Sequence, residues 1–196
     1  LPFHCVVGGD FQAKVWTQVK EWIEAAAVKR ALRDSRIGYL GQLSHFLDFE
    51  TLEALRRSRN GGTLVLIGPE TEATRGALAE FARREGVAVL GPRPYPQVPA
   101  YLQAFDVGVI PFRANLPYVR GINPNKVYQY LAAGIPAVTT PLLDLPPAPP
   151  HLQFASSPDE MVAAVRSALA ADRGPCRELA RPHDWDASMR ALPLRP

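Results

Sequence analysis

The chain has 196 residues, of which 47% are hydrophobic and 21% are charged, and its formal net charge at pH 7 is +3. A chain of this length buries enough surface for one good core, so we expect one domain with an appendage rather than two full domains. The small net charge, without any run of like charges, argues against nucleic-acid binding.

The cysteines, the histidines and the apolar runs further limit the kind of protein that this chain can be. Cys5 and Cys176 are far apart and belong to no CxxC motif, which favours a reduced, cytoplasmic protein. The four histidines show no metal-ligand spacing, so no metal site is expected. No apolar run approaches the roughly 20 residues that span a bilayer, which leaves only a peripheral membrane association open. Because the chain begins without methionine, we expect a fragment of a longer protein.

The first 35 residues differ from the rest of the chain. From Gln12 to Arg33, apolar residues recur at helical spacing, which predicts one long amphipathic helix. We therefore divide the chain into an N-terminal helical segment, residues 1–35, and a main domain, residues 36–196.

Strand and helix patterns alternate from Ile37 onward. Short apolar runs predict buried parallel strands at residues 37–40, 63–67, 87–90, 107–110, 137–139 and 153–155. Helical patterns are found at residues 48–59, 72–85, 97–104 and 125–133, and further helices are expected from Ser157 and over residues 176–192. This alternation predicts an α/β domain of the Rossmann-like kind, with a parallel sheet and helices on both faces.

The most informative motif is NPNKVYQYLAAGIPAVTT, residues 123–140. Pro124 keeps the residue before it out of the helical region, so we expect the helix to begin near Asn125 and to end at Gly134. Its N-terminus, with Lys126 in the first turn, favours a bound phosphate. Asn123 and Asn125 either hydrogen-bond such a ligand or cap the helix.

Residues 36–192 resemble the C-terminal, donor-binding domain of GT-B glycosyltransferases of group 1, of the family-four kind. Residues 123–140 resemble the signature NPxKxYEYLAAGxPVV of that domain. RIGYLGQLSHFLDF (residues 36–49) resembles its first strand and following loop, LVLIGP (64–69) its second strand, FDVGVIPFR (105–113) the strand before the donor loop, and HDWD (183–186) the start of its closing helix.

This resemblance implies one half of a GT-B fold and a function in sugar transfer. The chain would bind a nucleotide-diphosphate sugar and transfer the sugar, with retention and without a metal or cofactor, to an unknown acceptor. The partner still missing would be the acceptor-binding domain, so the isolated chain would be inactive or weakly active.

The resemblance also implies roles for individual residues. Lys126 and Arg120 would stabilise the leaving diphosphate, and they are the candidate catalytic residues. Gln129 stands where the family has a ribose-binding glutamate, and the loss of the charge should weaken that contact. A second glutamate that many relatives carry falls on Gly121 and is absent.

Two loops at the ends of predicted strands supply further candidates for donor binding. Gly41 permits a close approach of the backbone to a phosphate, and Ser44 carries a hydroxyl that can donate a hydrogen bond, although a purely structural turn fits as well. Phe112 and Arg113 follow the strand at residues 107–110, at the end of the sheet where open α/β sheets bind ligands.

Two alternatives to a glycosyltransferase stay open. Gln129, and the lack of the basic residues that many relatives have after Gly41, support a non-catalytic, Rossmann-like interaction module. Residues 3–38 resemble an internal segment of L-arabinose/L-fucose isomerases, which keeps a sugar-isomerase fragment as a remote third interpretation.

Overall fold

The computed structural model describes residues 36–58, 62–142 and 146–183. The predicted N-terminal helix, the boundary at residue 35 and most of the HDWD segment therefore lie outside the described residues.

The strands form a single parallel sheet. They are β1 (Arg36–Leu40), β2 (Thr63–Ile67), β3 (Val87–Gly91), β4 (Val107–Ile110), β5 (Ala137–Thr139) and β6 (Leu152–Phe154). Their order in the sheet is β3-β2-β1-β4-β5-β6, and every pairing is parallel. This is the strand order of doubly wound nucleotide-binding folds, so the predicted fold class is confirmed.

The helices lie between the strands and after the last one. They are α1 (Phe49–Ser58), α2 (Glu72–Phe81), α3 (Val98–Gln103), α4 (Pro117–Arg120), α5 (Asn125–Ala132), α6 (Pro158–Leu169) and α7 (Cys176–Ala180), with single turns of 3₁₀ helix at Tyr95–Gln97 and Arg181–His183. Helix α1 packs with α6, and α5 packs with α7, so helices cover both faces of the sheet. Among the described residues no helix has the length and apolar character needed to cross a membrane.

Local residues determine three helix ends. Asp48 caps α1, since its carboxylate accepts hydrogen bonds from the Glu50 N–H (3.1 Å) and the Thr51 hydroxyl (2.6 Å). Ser157 caps α6, with Pro158 at its first position. Gly134 closes α5 with φ of 77°, and the Ile135 N–H bonds back to the Tyr130 carbonyl, as in a Schellman motif.

The structure adds one helix and shortens two predicted ones. Helix α4 was not predicted, because its four residues are too few to show a period. The helix predicted over residues 72–85 ends at Phe81. The helix expected over residues 176–192 begins at Cys176 but ends at Ala180, and a 3₁₀ turn that contains Pro182 follows. Proline lacks a backbone N–H, so it cannot continue the α-helical hydrogen bonding.

Candidate functional site

The candidate site lies at the point where the strand order reverses, between β1 and β4. These strands pair only through Ile37 with Val107 and through Gly38 with Gly108, so their carboxyl ends diverge. At this kind of switch point the open α/β sheets form a crevice outside the strand ends. The site residues come from the loops after β1 and β4 and from the start of α5.

A side chain of α5 completes the hydrogen bonding where the two strands separate. The Leu40 N–H donates to the Tyr130 hydroxyl over 2.8 Å. Tyr130 is fully buried, and its ring lies against Gly108, where any side chain would collide with it. Burial raises the pKa of Tyr130, so the phenol stays neutral. Helix α5 is thereby joined directly to β1.

The loops after β1 and β4 are joined to each other. The Asp48 N–H donates to the Pro111 carbonyl (2.9 Å), and the Arg113 N–H donates to the Phe46 carbonyl (2.8 Å). Between these bonds, Leu47 and Phe112 form an isolated antiparallel bridge. The crevice therefore has a backbone-bonded wall on this side.

Gly41, the first residue after β1, lies next to the ammonium of Lys126, a lysine in the first turn of α5. Its φ of 140° is in the range that favours glycine. A Cβ at this position would lie 2.6 Å from the Lys126 Nζ atom, so a side chain would displace the ammonium. The group that approaches Gly41 closely in the structure is the Lys126 ammonium, and the approach of a phosphate to Gly41 remains a prediction.

Lys126, the second residue of α5, turns its ammonium into the crevice. Its Nζ donates a hydrogen bond to the Tyr39 hydroxyl (3.0 Å) and lies 4.6 Å from the Tyr39 ring centroid and 4.9 Å from that of Phe112. Cations at this distance from aromatic faces are stabilised by the ring quadrupoles. The structure thus brings together three of the predicted residues, Lys126, Gly41 and Phe112.

The Lys126 ammonium has no anionic partner in the part of the chain that the structure describes, where no carboxylate lies within ion-pair distance. Burial lowers the pKa of Lys126 to about 8, from an ordinary value of 10.5. The group is still mostly protonated at pH 7. A half-buried cation without a counter-charge, in a crevice, is arranged to receive an anion.

The N-terminus of α5 presents uncapped backbone N–H groups beside this cation. Pro124 holds the cap position, and no side chain caps the helix. Of the two roles open to Asn123 and Asn125, the capping role is therefore wrong. Both side chains are exposed at the helix start, where free N–H groups and the helix dipole favour a negatively charged ligand.

The other predicted site residues are placed as follows. Ser44 is buried in the turn after β1, and its carbonyl accepts the Leu47 N–H. Gln129 is half-buried, one turn after Lys126 on α5, where residues three apart are neighbours. Arg120 is the last residue of α4, and its side chain lies outside the described part.

Arg113 is exposed and lines a cleft next to Phe112. This cleft, of about 340 Å³, extends from the loop after β4 to the first turn of α6, and its walls also include Thr140 and Ser157. Since the ring of Phe112 also lies 4.9 Å from the Lys126 Nζ atom, the cleft and the Lys126 ammonium share one aromatic neighbour.

Sequence reasoning missed the aromatic residues that surround the crevice. Tyr39 holds the Lys126 ammonium, and Phe46 lies 6.2 Å from the Phe112 ring and stacks on Tyr118 at 5.6 Å. Tyr118 is 67% exposed. One signal was available for Tyr39: a tyrosine in a predicted fully buried strand needs a hydrogen-bond partner for its hydroxyl. Within the described ranges, no group of three or more His, Cys, Asp or Glu residues is placed to hold a metal ion.

The strand order and the unpaired cation at the switch point define a doubly wound α/β domain with a candidate anion site. The family model described as glycosyl transferases group 1 matches residues 34–171. The chain belongs to this family, as the motifs around Lys126 indicate.

The individual relatives agree with this assignment. TuaH of Bacillus subtilis (strain 168), whose name assigns it provisionally to teichuronic acid biosynthesis as a glycosyltransferase, is 26% identical over 165 residues, which are 80% of this chain and 41% of TuaH. The structure of Anabaena HepE with UDP and glucose superposes with a TM-score of 0.67 at 14% identity, covering 93% of this chain and 50% of HepE. AviGT4, a glycosyltransferase involved in avilamycin A biosynthesis, gives 0.60 at 19% identity, covering 84% and 51%.

The structural likenesses show the half of the GT-B fold that the sequence predicts. The chain spans about half the length of these relatives, or less.

Proposed function

We propose that this chain is the donor-binding half of a retaining glycosyltransferase and that it binds the diphosphate of a nucleotide sugar at Lys126. The observation that carries the proposal is the half-buried ammonium at the N-terminus of α5, next to Gly41, which has no counter-charge within the described ranges. A diphosphate supplies the negative charge that this crevice lacks.

The comparisons support a uridine nucleotide as the first ligand to test. HepE, which shares the fold, has structures in complex with UDP and with UDP-glucose. The family to which the chain belongs is one of sugar transfer. UDP is therefore the primary probe, and GDP and ADP serve to test the choice of base.

The proposed chemistry assigns the chain a role at the leaving group. When the bond between the sugar C1 and the diphosphate oxygen breaks, negative charge grows on that oxygen. Lys126, with Arg120 as a second candidate, would stabilise this charge, and fixed positive groups are effective at such a position. The acceptor hydroxyl that bonds to C1 would be held by an acceptor-binding domain, so this chain alone should bind the donor but turn over little.

Thermal unfolding of the full chain with UDP, GDP and ADP tests the proposal. Saturation at a hundredfold over Kd adds about 2.7 kcal/mol to the free energy of unfolding, a shift of roughly 5 °C or more for a domain of this size. Lys126→Met, which keeps the apolar stem, should abolish the shift. Arg166→Ala is the matched control, because Arg166 is an exposed cation in the second half of α6 and should leave the shift unchanged.

The outcome separates this proposal from the interaction module. A shift with one nucleotide that disappears in Lys126→Met supports donor binding and identifies the base. No shift with any nucleotide would contradict donor binding and favour the non-catalytic module that Gln129 suggests. An equal loss in Arg166→Ala would mean that the effect is one of general charge.

A further inference from the structure

We infer that Tyr39 is a positioning residue, which fixes the direction of the Lys126 ammonium toward the bound diphosphate. The inference rests on the proposed function and adds a residue to it. Tyr39 is in the middle of the sheet, on β1, and is not part of the motif at residues 123–140.

The hydrogen-bond directions at Tyr39 are determined by its partners. The hydroxyl donates its single proton to the Gln42 carbonyl over 2.9 Å. It can then only accept from Lys126, and an ammonium can only donate. The result is a one-way chain from the Lys126 ammonium through the Tyr39 hydroxyl to the backbone of the loop after β1.

This chain leaves the remaining capacity of the ammonium free for a ligand. An ammonium has three N–H donors, and one of them bonds to Tyr39. In the described ranges, no second acceptor lies within hydrogen-bond distance of Nζ. The two other donors have no acceptor among the described residues, so they are available to a ligand.

A phenol suits this task better than a carboxylate would. A carboxylate would orient the lysine but would also neutralise the charge that the diphosphate needs. Burial raises the pKa of Tyr39, so the hydroxyl stays neutral. Tyr39 has no exposed surface, and its ring packs edge-on against Phe112 at 6.4 Å, so the position of the hydroxyl is fixed by the core.

The competing explanation is that Tyr39 contributes only packing. Tyr39→Phe distinguishes the two, because it keeps the ring, the core contact and the cation–π geometry and removes only the hydroxyl. Binding of UDP and of uridine by the full chain is measured by calorimetry. We expect the UDP affinity to fall about tenfold, with the uridine affinity unchanged, because uridine lacks the diphosphate that the lysine contacts.

Tyr101→Phe, on α3 and away from the switch point, is the matched control. Its ring is also buried, and its hydroxyl also accepts a hydrogen bond from a cation, the Arg93 guanidinium (2.9 Å). We expect Tyr101→Phe to lower the unfolding temperature without a selective effect on UDP over uridine. The double variant Tyr39→Phe/Lys126→Met should bind UDP no more weakly than Lys126→Met alone, since the effect of Tyr39 passes through the lysine.

The outcomes distinguish this inference from the proposed function. If the wild-type chain binds none of the nucleotides, both are overturned. If Lys126→Met loses UDP but Tyr39→Phe binds it like the wild type, or if the two losses add in the double variant, only the positioning role is overturned.

A second variant covers the case in which Tyr39→Phe does not fold. Lys126→Arg keeps the charge, but the longer guanidinium cannot take the same place between Tyr39 and Gly41. We expect it to lose UDP affinity at least tenfold. An arginine that binds UDP as tightly as lysine would show that charge alone is sufficient, and would overturn the inference.

Discussion

Two partly buried charged side chains, Glu53 and Lys126, have opposite surroundings: the first is surrounded by opposite charges, and the second by aromatic side chains. At the α1–α2 side of the sheet, the Glu53 carboxylate accepts hydrogen bonds from Arg56 (2.8 Å), Arg57 (2.7 Å) and Arg84 (2.8 Å). These bonds, that from Arg56 foremost, hold the pKa of Glu53 well below its usual range. At the switch point, the Lys126 ammonium meets, among the residues that the structure describes, only the aromatic rings of Tyr39 and Phe112 and the Tyr39 hydroxyl.

The difference teaches where to look for function. When a partly buried charge is fully paired, removing one partner destabilises the fold, because the other charge is left buried without compensation. A partly buried charge without a counter-ion costs free energy, and the fold tolerates it where a ligand will supply the missing partner. The contrast yields five predictions, which run from the largest expected effect to the smallest.

Gly41→Ala should have the largest effect. It acts at the crevice around the Lys126 ammonium, which we call the unpaired site. The φ of 140° is unfavourable for alanine, and the new Cβ would collide with the ammonium, so we expect a loss of about 2 kcal/mol in the free energy of unfolding and no measurable UDP binding. Chemical denaturation and calorimetry provide the two measurements. Gly76→Ala is the control: nothing lies within 4 Å of its Cβ on α2, so it should stabilise by roughly 0.5–1 kcal/mol. Equal behaviour of the two alanines would refute the close approach at Gly41.

Glu53→Gln should disrupt the cluster of Glu53 with its three arginines and leave UDP binding at Lys126 unchanged. Three arginines would lose their shared carboxylate, which is only 16% exposed, so we expect a loss of about 1–2 kcal/mol in stability. The UDP affinity should stay at the wild-type value. A variant of normal stability, measured by urea denaturation, would show that the cluster contributes nothing; a variant with weakened UDP binding would show that the two regions are coupled.

The affinity of the unpaired site for UDP should depend on pH in the alkaline range. Lys126 loses its charge as the pH rises through about 8, while the buried Tyr39 beside it stays neutral. The UDP affinity should therefore fall above pH 8, by at most about tenfold per pH unit. A titration by calorimetry between pH 7 and pH 10 measures this, and a flat profile would contradict a protonated Lys126 as the binding group.

The same lysine should make the fold more stable at alkaline pH. Between about pH 8 and 10.5 the unfolded chain binds the lysine proton and the folded chain does not, so the free energy of unfolding rises with pH. This rise should be absent from Lys126→Met, which supplies the control for other titrating groups.

Gln129→Glu should have the smallest effect, and in the favourable direction. It restores the carboxylate that the family uses for the ribose, one turn from Lys126, and a charged acceptor should add about 1 kcal/mol, or roughly fivefold in UDP affinity. Gln103→Glu, at an exposed position on α3, controls for the added negative charge. A weaker UDP complex in Gln129→Glu alone would mean that this position does not face the ribose.

The elements that carry local signals were predicted well. Strands β2, β4 and β5 have the predicted bounds, because each is a short apolar run between turn residues. Helix α5 begins at Asn125 and closes at Gly134, because Pro124 and Gly134 each impose a backbone conformation. The family motif also predicts Lys126 as a donor-binding residue, and this remains a prediction.

What could not be predicted depends on contacts between distant residues. Tyr39 reaches Lys126 across 87 positions of the chain, through the neighbouring places of β1 and α5 in the fold, and no local period records such a contact. The unpaired state of the ammonium is equally non-local, because it depends on which carboxylates the topology brings near.

Because the Leu40 amide donates to the Tyr130 hydroxyl, the hydrogen bonding of β1 depends on the position of α5. Tyr130 lies one turn along α5 from Lys126, so any displacement of this helix must stretch or open a hydrogen bond of the central strand. Exchange of the Leu40 amide with deuterated solvent then measures how firmly α5 is docked. A ligand that holds the start of α5 in place would slow that exchange. The exchange rate of the Leu40 amide would therefore measure ligand binding without any enzymatic turnover.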